Sequence, residues 1–194
     1  MPPSRETEIK LPVADADTFR RKLKKLGFKI VTGRRFESNR LFDFKDRHLR
    51  KEQCLLRLRF ENDDCKVTFK GRPVYSHHFK IRHETETRVG DGESLRGIFK
   101  GLGLREVFRY DKYRTTFAAR RDAGRRHPPL VELDETPIGT YAELEGPRRW
   151  ITKTAGKLGY SPSDYITESY ATLYFRRCKR LGVKPKDMVF KRRK

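Results

Sequence analysis

The chain has 194 residues, enough for one large domain, and its 35% hydrophobic against 38% charged residues leave a lean core that 13 Phe and 8 Tyr help to fill. A formal charge of +21 calls for an anionic partner, whether nucleic acid, polyphosphate or a phosphorylated small molecule. No apolar run approaches the roughly 20 residues of a membrane helix, the first residues lack the apolar stretch of a signal peptide, and Cys54, Cys65 and Cys178 show no short paired spacing, which fits a reducing cytoplasm rather than a disulfide scaffold or zinc site.

The first predicted strand, 5–11, alternates at period two. Glu6, Glu8 and Lys10 fall on one face, Thr7, Ile9 and Leu11 on the other. Such a charged row is expensive to bury unless something compensates it, so it either meets water or lines a polar cavity. A helix is predicted over 15–26, with Phe19, Leu23 and Leu26 at helical spacing, Asp15 or Asp17 as cap and Gly27 as stop. Arg20, Arg21, Lys22, Lys24 and Lys25 lie on its outer side, a solvated face or a surface for a polyanion.

Strands follow at 28–31 and 39–44, a turn at 45–47, and a hairpin of 54–60 and 66–70 around 61–64. Arg57 and Arg59 oppose Leu56, Leu58 and Phe60, and Lys66, Thr68 and Lys70 oppose Val67 and Phe69. The strand 79–89 places Lys80, Arg82, Glu84, Glu86 and Arg88 on one face. A short helix spans 94–100, and the strand 107–117 carries Lys112 and Arg114. After a basic turn at 122–129, strands 130–135 and 141–145 carry Glu132 with Asp134 and Glu143 with Glu145. Helices are predicted at 149–158 and 164–181, with 1–182 as one domain and 183–194 as a mobile basic tail. The five histidines form no metal pattern, and there is no phosphate-binding glycine loop.

The charges are sorted by strand. Carboxylates dominate the first strand and the last two, with Glu84 and Glu86 on the long middle one; cations dominate the hairpin and the strand of Lys112 and Arg114. With the charged faces outward, the chain would be an ordinary sandwich. Closed into a barrel of about eight strands, the same faces would line a tunnel with apolar residues turned outward against helices. Carboxylates at i and i+2 lie roughly 6–7 Å apart along a strand, which lets neighbouring strands converge on a hard divalent cation such as Mg²⁺ or Mn²⁺. Rows of Arg and Lys suit phosphate oxygens. An acidic wall for metal and a basic wall for polyphosphate make a site for phosphoryl transfer.

Glu6-x-Glu8-x-Lys10 resembles the ExExK signature of the CYTH superfamily, the triphosphate tunnel metalloenzymes. The resemblance continues through Leu56-Arg57-Leu58-Arg59, Thr68-Phe69-Lys70-Gly71, Arg82-x-Glu84-x-Glu86, Lys112-Tyr113-Arg114, Glu132-Leu133-Asp134, Glu143-Leu144-Glu145-Gly146 and Ser169-Tyr170. It implies a mainly β (α+β) fold, a closed eight-stranded antiparallel barrel with flanking helices that binds a triphosphate and divalent metal. Glu6, Glu8, Glu143 and Glu145 would be the main metal ligands, Asp134 or Glu132 would assist, and Glu84 and Glu86 would serve a second ion. Lys10, Arg57, Arg59, Lys66, Lys70, Arg82, Lys112 and Arg114 would hold the phosphates. Lys10 is placed to orient or deprotonate the attacking group, the latter if neighbouring cations depress its pKa. Tyr170 would brace a tunnel mouth.

Leu41 stands where the family often has a tyrosine, which weighs against a thiamine triphosphate substrate. Three activities share these residues: a triphosphatase acting on inorganic triphosphate, ATP or another nucleoside triphosphate; an adenylate cyclase of the class IV type; and a non-catalytic binder of polyphosphate or nucleic acid, with polyanion or RNA contact suggested by the basic exterior and the 191–194 run of Lys and Arg.

Overall fold

Period-two alternation along most of the chain is spent on a single sheet. The structure, a computed structural model, describes residues 4–191 except 63, 75, 77, 123, 124 and 126. Its strands are β1 (Ser4–Val13), β2 (Phe28–Phe44), β3 (Leu55–Glu61), β4 (Asp64–Lys70), β5 (Lys80–Val89), β6 (Leu104–Ala119), β7 (Leu130–Thr136) and β8 (Gly139–Glu145). They close in the order β1-β5-β4-β3-β2-β6-β7-β8, with β8 back on β1 and every neighbour antiparallel. This is the barrel expected from the charge pattern. No helix among the described residues is long and apolar enough to cross a membrane.

The apolar faces turn outward under the helices α1 (Ala16–Lys25), α3 (Gly92–Gly101) and α4 (Arg148–Leu158). Ile9, Leu11, Val131, Leu133, Ala142 and Leu144 pack against Phe19 and Leu23 of α1 and Ile151, Ala155 and Leu158 of α4. A second cluster sets Phe42, Leu58 and Leu104 against Phe99 of α3. Helix α1 begins where the sequence places it: Asp15 Oδ1 accepts from the Thr18 amide at 2.7 Å.

Four local expectations need correction. The segments 28–31 and 39–44 are one strand, because β6 pairs with it from Phe28↔Ala119 to Phe44↔Leu104. Register shifts at Ile30/Thr32, Thr32/Arg35 and Leu41/Phe42 bend the polar middle around the barrel. The turn at 45–47 leads into a short helix that the sequence did not suggest, α2 (His48–Lys51), with Arg47 left-handed at φ 63°. The last helix, α5 (Tyr170–Arg180), starts six residues later than predicted. The backbone of Ile166 is instead spent on a bridge to Lys10, with N···O distances of 2.8 and 2.9 Å, and Ser169 caps the helix.

The expected mobile tail is docked as far as it is described. β7 covers only Tyr113–Ala118 of β6, which leaves unpaired edge groups further back on that strand. Met188 fills this edge: its carbonyl accepts from the Asp111 amide and its amide donates to the Arg109 carbonyl, both at 2.9 Å. Its side chain is 1% exposed, and the Phe190 ring lies 5.2 Å from that of Tyr113. Residues 192–194 of the basic run, and residues 123, 124 and 126 of the basic turn, lie outside the described residues.

A large-to-small change at a buried Met costs about 2–5 kcal/mol, and each kcal/mol is worth about 2–4 °C in a chain of this size. Met188→Ala should therefore lower Tm by about 5–15 °C in a thermal melt. A change under about 2 °C would show that the docked segment adds no stability.

Candidate active site

The sequence-predicted site residues converge in the barrel lumen. Glu6, Glu8 and Lys10 from β1 meet Arg82 and Lys80 on one side and Glu145 and Glu143 on the other, by register. Arg57 and Arg59 face Thr68 and Lys66, Lys70 faces Glu84, and Arg114 and Thr116 face Asp134 and Glu132. Glu8, Lys10, Arg57, Arg59, Lys112, Arg114, Glu132, Asp134 and Glu143 are all buried.

Asp134, fully buried, holds the inner end together. It accepts from Arg114 Nε at 2.6 Å and Arg114 Nη2 at 2.5 Å, from Lys112 Nζ at 2.9 Å and from the Tyr170 hydroxyl at 2.7 Å. Arg114 also contacts Glu132 and Glu143. Tyr170, expected to brace a tunnel mouth, is buried against the lumen cations. Its ring lies 5.2 Å from Lys10 Nζ and 5.4 Å from Lys112 Nζ, and with Phe108, Tyr110, Leu173 and Met188 it packs that end with aromatic and aliphatic groups.

Lys10 does not have the environment of a base. Burial alone would lower its pKa, but the carboxylates of Glu143, at 2.9 Å, and Glu8, at 3.5 Å, outweigh burial and hold it above its ordinary value. The expectation that neighbouring cations depress it is overturned, because carboxylates, not cations, are its nearest charges. The lysine whose pKa is lowered is Lys80. Burial lowers it, Glu8 at 2.5 Å opposes, and Lys10 and Lys70 add to the lowering.

The acidic side carries uncompensated charge. Glu8 stands directly opposite Glu145, and Glu132 opposite Glu143, pairings that cost energy when both partners are ionised. Burial, with Glu6, Glu132 and Glu8 beside it, pushes Glu145 up to about 10, and it has no cationic partner among the described residues. Burial and a hydrogen bond with Glu6 push Glu84 up to about 8, although Lys70 contacts it. Carboxylate oxygens are the donors that a hard divalent cation takes, so the chemistry of these residues fits the metal that the sequence implies. Among the described residues no three acidic groups yet meet at one coordination point, because Lys10, Lys80 and Arg114 draw Glu8 and Glu143 into ion pairs.

Glu86 differs from the other acidic residues. Burial would raise it, but Arg59 at 2.9 Å, Thr68 at 2.8 Å and Lys66 at 3.2 Å hold it at about 2. Those contacts occupy the group that the sequence offered to a second ion. On the basic side, Arg82 has no ion pair among the described residues, and Arg57 reaches a carboxylate only at 3.6 Å, from Glu86. These two guanidinium groups have the most unused capacity for an anion.

The lumen also holds residues that the sequence did not select. Glu37, fully buried, pairs with Lys112 and Arg59, each at 3.5 Å; burial would raise its pKa, yet Lys112 and Arg114 keep it well below the carboxylate range. Arg35, Glu37 and Asn39 form an i, i+2 row that signals a strand, but 32–38 falls between two predicted strands. Lys80 lay on the recognised row of β5 without being assigned a role. Tyr110 bonds Arg57 from a strand selected only for its cations.

An antiparallel barrel whose lumen is lined by sorted carboxylates and cations defines a tunnel for binding a metal and a polyanion together. Residues 4–170 match the CYTH domain, and the chain belongs to that family. A Methanocaldococcus jannaschii protein named "putative adenylate cyclase" is 38% identical over 141 residues, 72% of this chain and 75% of that one. A similarly named Vibrio parahaemolyticus structure superposes with a TM-score of 0.74 at 19% identity, covering 87% of this chain and 96% of that one. The Hippeastrum protein HpAC1, described as having a dominant triphosphatase activity, gives a TM-score of 0.62 at 18% identity over 93% and 97% of the two chains. The relatives named here thus carry adenylate cyclase and triphosphatase descriptions.

The crowded carboxylates set a pH dependence. A carboxyl raised from 4.5 to about 10 on folding takes up a proton as the chain folds, so its contribution to stability falls as pH rises between those values. Glu145→Gln removes this cost. In chelator at pH 8 it should raise Tm, and it should flatten the decline of Tm between pH 6 and 9. A lower Tm at pH 8 would show that ionised Glu145 is stabilising.

Proposed function

We propose that the chain is a divalent-metal-dependent triphosphatase that cleaves inorganic triphosphate or a nucleoside triphosphate within the tunnel. The observation that carries this is the division of one buried lumen into an acidic wall, where Glu8 faces Glu145, Glu132 faces Glu143 and Glu145 has no ion pair among the described residues, and a basic wall at Arg57, Arg59, Lys70 and Arg82. A dominant triphosphatase activity in HpAC1, on the same fold, is in keeping with it.

Glu6, Glu8, Glu143 and Glu145, with Glu132, would hold Mg²⁺ or Mn²⁺, which when bound neutralises charge on the phosphate oxygens, while Asp134 stays with Lys112, Arg114 and Tyr170. Arg57 and Arg82 grip the phosphate chain through their free N–H groups, and Arg59, Lys66, Lys70, Lys112 and Arg114 supply the surrounding positive field. Lys10 stays protonated between Glu8 and Glu143 and positions the phosphoryl group as a fixed cation; water is the attacker. A cytoplasmic location is supported by three free cysteines.

The second reading is an adenylate cyclase, in which the ribose 3′-hydroxyl attacks the α-phosphorus and pyrophosphate leaves. The name of the 38% identical M. jannaschii relative favours it. A product-resolved assay separates the two. Offered triphosphate, ATP and thiamine triphosphate in turn with Mg²⁺ or Mn²⁺, the protein should release orthophosphate, and Glu8→Ala should abolish it. Cyclic AMP with pyrophosphate from ATP would replace the hydrolase by the cyclase; no turnover in any lane would leave a binder.

Lys10→Met should lower kcat about 100-fold, the scale of losing one preorganised electrostatic group. Lys10→Arg, which keeps the charge but cannot take a proton, should retain roughly ten times more activity than Lys10→Met. Equal loss in both would mean that Lys10 transfers a proton.

A further inference from the structure

A cavity rimmed by cations lies outside the barrel, where the tunnel chemistry makes no use of it. A cavity of about 250 Å³ opens between the end of α1, the β6–β7 connection and α4. Phe28 and Trp150 form its aromatic side, with ring centroids 6.2 Å apart in an edge-on arrangement. Arg120, Arg121, Lys153 and Lys157 form its rim, and among the described residues no carboxylate lines it. All four cations are exposed. Among the described residues only Arg121 has an ion pair, a 3.8 Å contact with Asp122. Trp150 is half-buried, and its indole N–H has no acceptor among the described residues, although buried indoles usually find one.

The rim continues beyond the cavity. Helix α1 lies beside α4, where Lys22 Nζ donates to the Leu158 carbonyl at 3.3 Å, and Arg21, Lys24 and Lys25 are exposed along it. Ten helical residues extend this charge over about 15 Å, far more than one phosphate needs. The cavity falls below the usual 300–1,000 Å³ of small-molecule sites and suits a single flat unit of a longer ligand. Aromatic surface for a base with flanking cations for phosphates is how proteins hold single strands without reading sequence.

We propose that this face binds single-stranded RNA, with one base against Trp150 and the adjoining phosphates on Arg120, Arg121, Lys153 and Lys157. The binding is independent of the triphosphate site in the lumen.

Trp150 is the only tryptophan in the chain, so its emission reports on this site alone. The full-length protein, in chelator, would be titrated with a labelled 12-nucleotide RNA bearing a 5′-hydroxyl, so that no triphosphate end enters the tunnel. Anisotropy and Trp150 emission would be followed across a salt series. RNA should bind and quench Trp150. The exposed double variant Lys153→Glu/Lys157→Glu should weaken binding about tenfold or more and reduce the slope of log affinity against log salt by about 1.4, or roughly 0.7 per lost contact. A control with the same charge change on another exposed face, Lys100→Glu/Arg105→Glu, should weaken binding less than about threefold. Equal weakening by both variants, RNA binding without quenching, no RNA binding, or inorganic polyphosphate of matched charge competing as strongly as RNA would each overturn the site.

Discussion

Charge buried in the lumen must be paired, and Asp134 is where that requirement is met most fully. An isolated carboxylate in this position would be untenable. With Arg114 gripping both of its oxygens, Lys112 on one and Tyr170 donating a further hydrogen bond, it becomes the tie between β6, β7 and α5. The tie closes one end of the tunnel and fixes Tyr170 under Lys10 and Lys112. Removing one partner of such a buried network typically costs several kcal/mol, since the others are left uncompensated.

The same rule identifies the working part of the lumen, which is where pairing fails. Glu145, with Glu8 opposite it and Glu6 and Glu132 beside it, has no cation among the described residues, Arg82 has no ion pair among them, and Arg57 reaches a carboxylate only at 3.6 Å. An unpaired carboxylate and unpaired guanidinium groups in one lumen are complementary to a metal ion carrying a polyphosphate. The fold tolerates the strain because Asp134, Glu37 and Glu86 neutralise the cations that would otherwise repel one another. Stability and binding are thus divided among carboxylates that look alike in sequence.

Much of this was legible in the chain. Alternation of charge and apolar side chains marked the strands, and the sorting of sign between strands marked the two walls. The capping Asp15 and the Phe19 and Leu23 stripe gave α1 nearly to the residue. The misses share a cause. The polar middle of β2, the bridge at Ile166 and the docking of Met188 depend on hydrogen bonds to strands far away in the chain, and a polar or irregular stretch shows no sign of them. Glu37 was lost with the middle of β2. The protonation of Lys10 depends on Glu143, which reaches it only when β8 closes on β1, beside Glu8 on its own strand.

By itself the sequence determined the side of each strand that is charged, the sign of that charge and the apolar stripes of the outer helices, because these follow from local periodicity. Membership of the CYTH family could be read from the same residues, since its motifs are those alternations. Only the tertiary structure decided which carboxylates are spent on cations and which are left for a metal, and that Lys10 is held as a cation while Lys80 is lowered. It also gathered a tryptophan and four cations from separate elements into one exterior cavity. The physical reason is that electrostatic energy depends on distance and burial, and both are set by the strands that happen to be neighbours when the barrel closes.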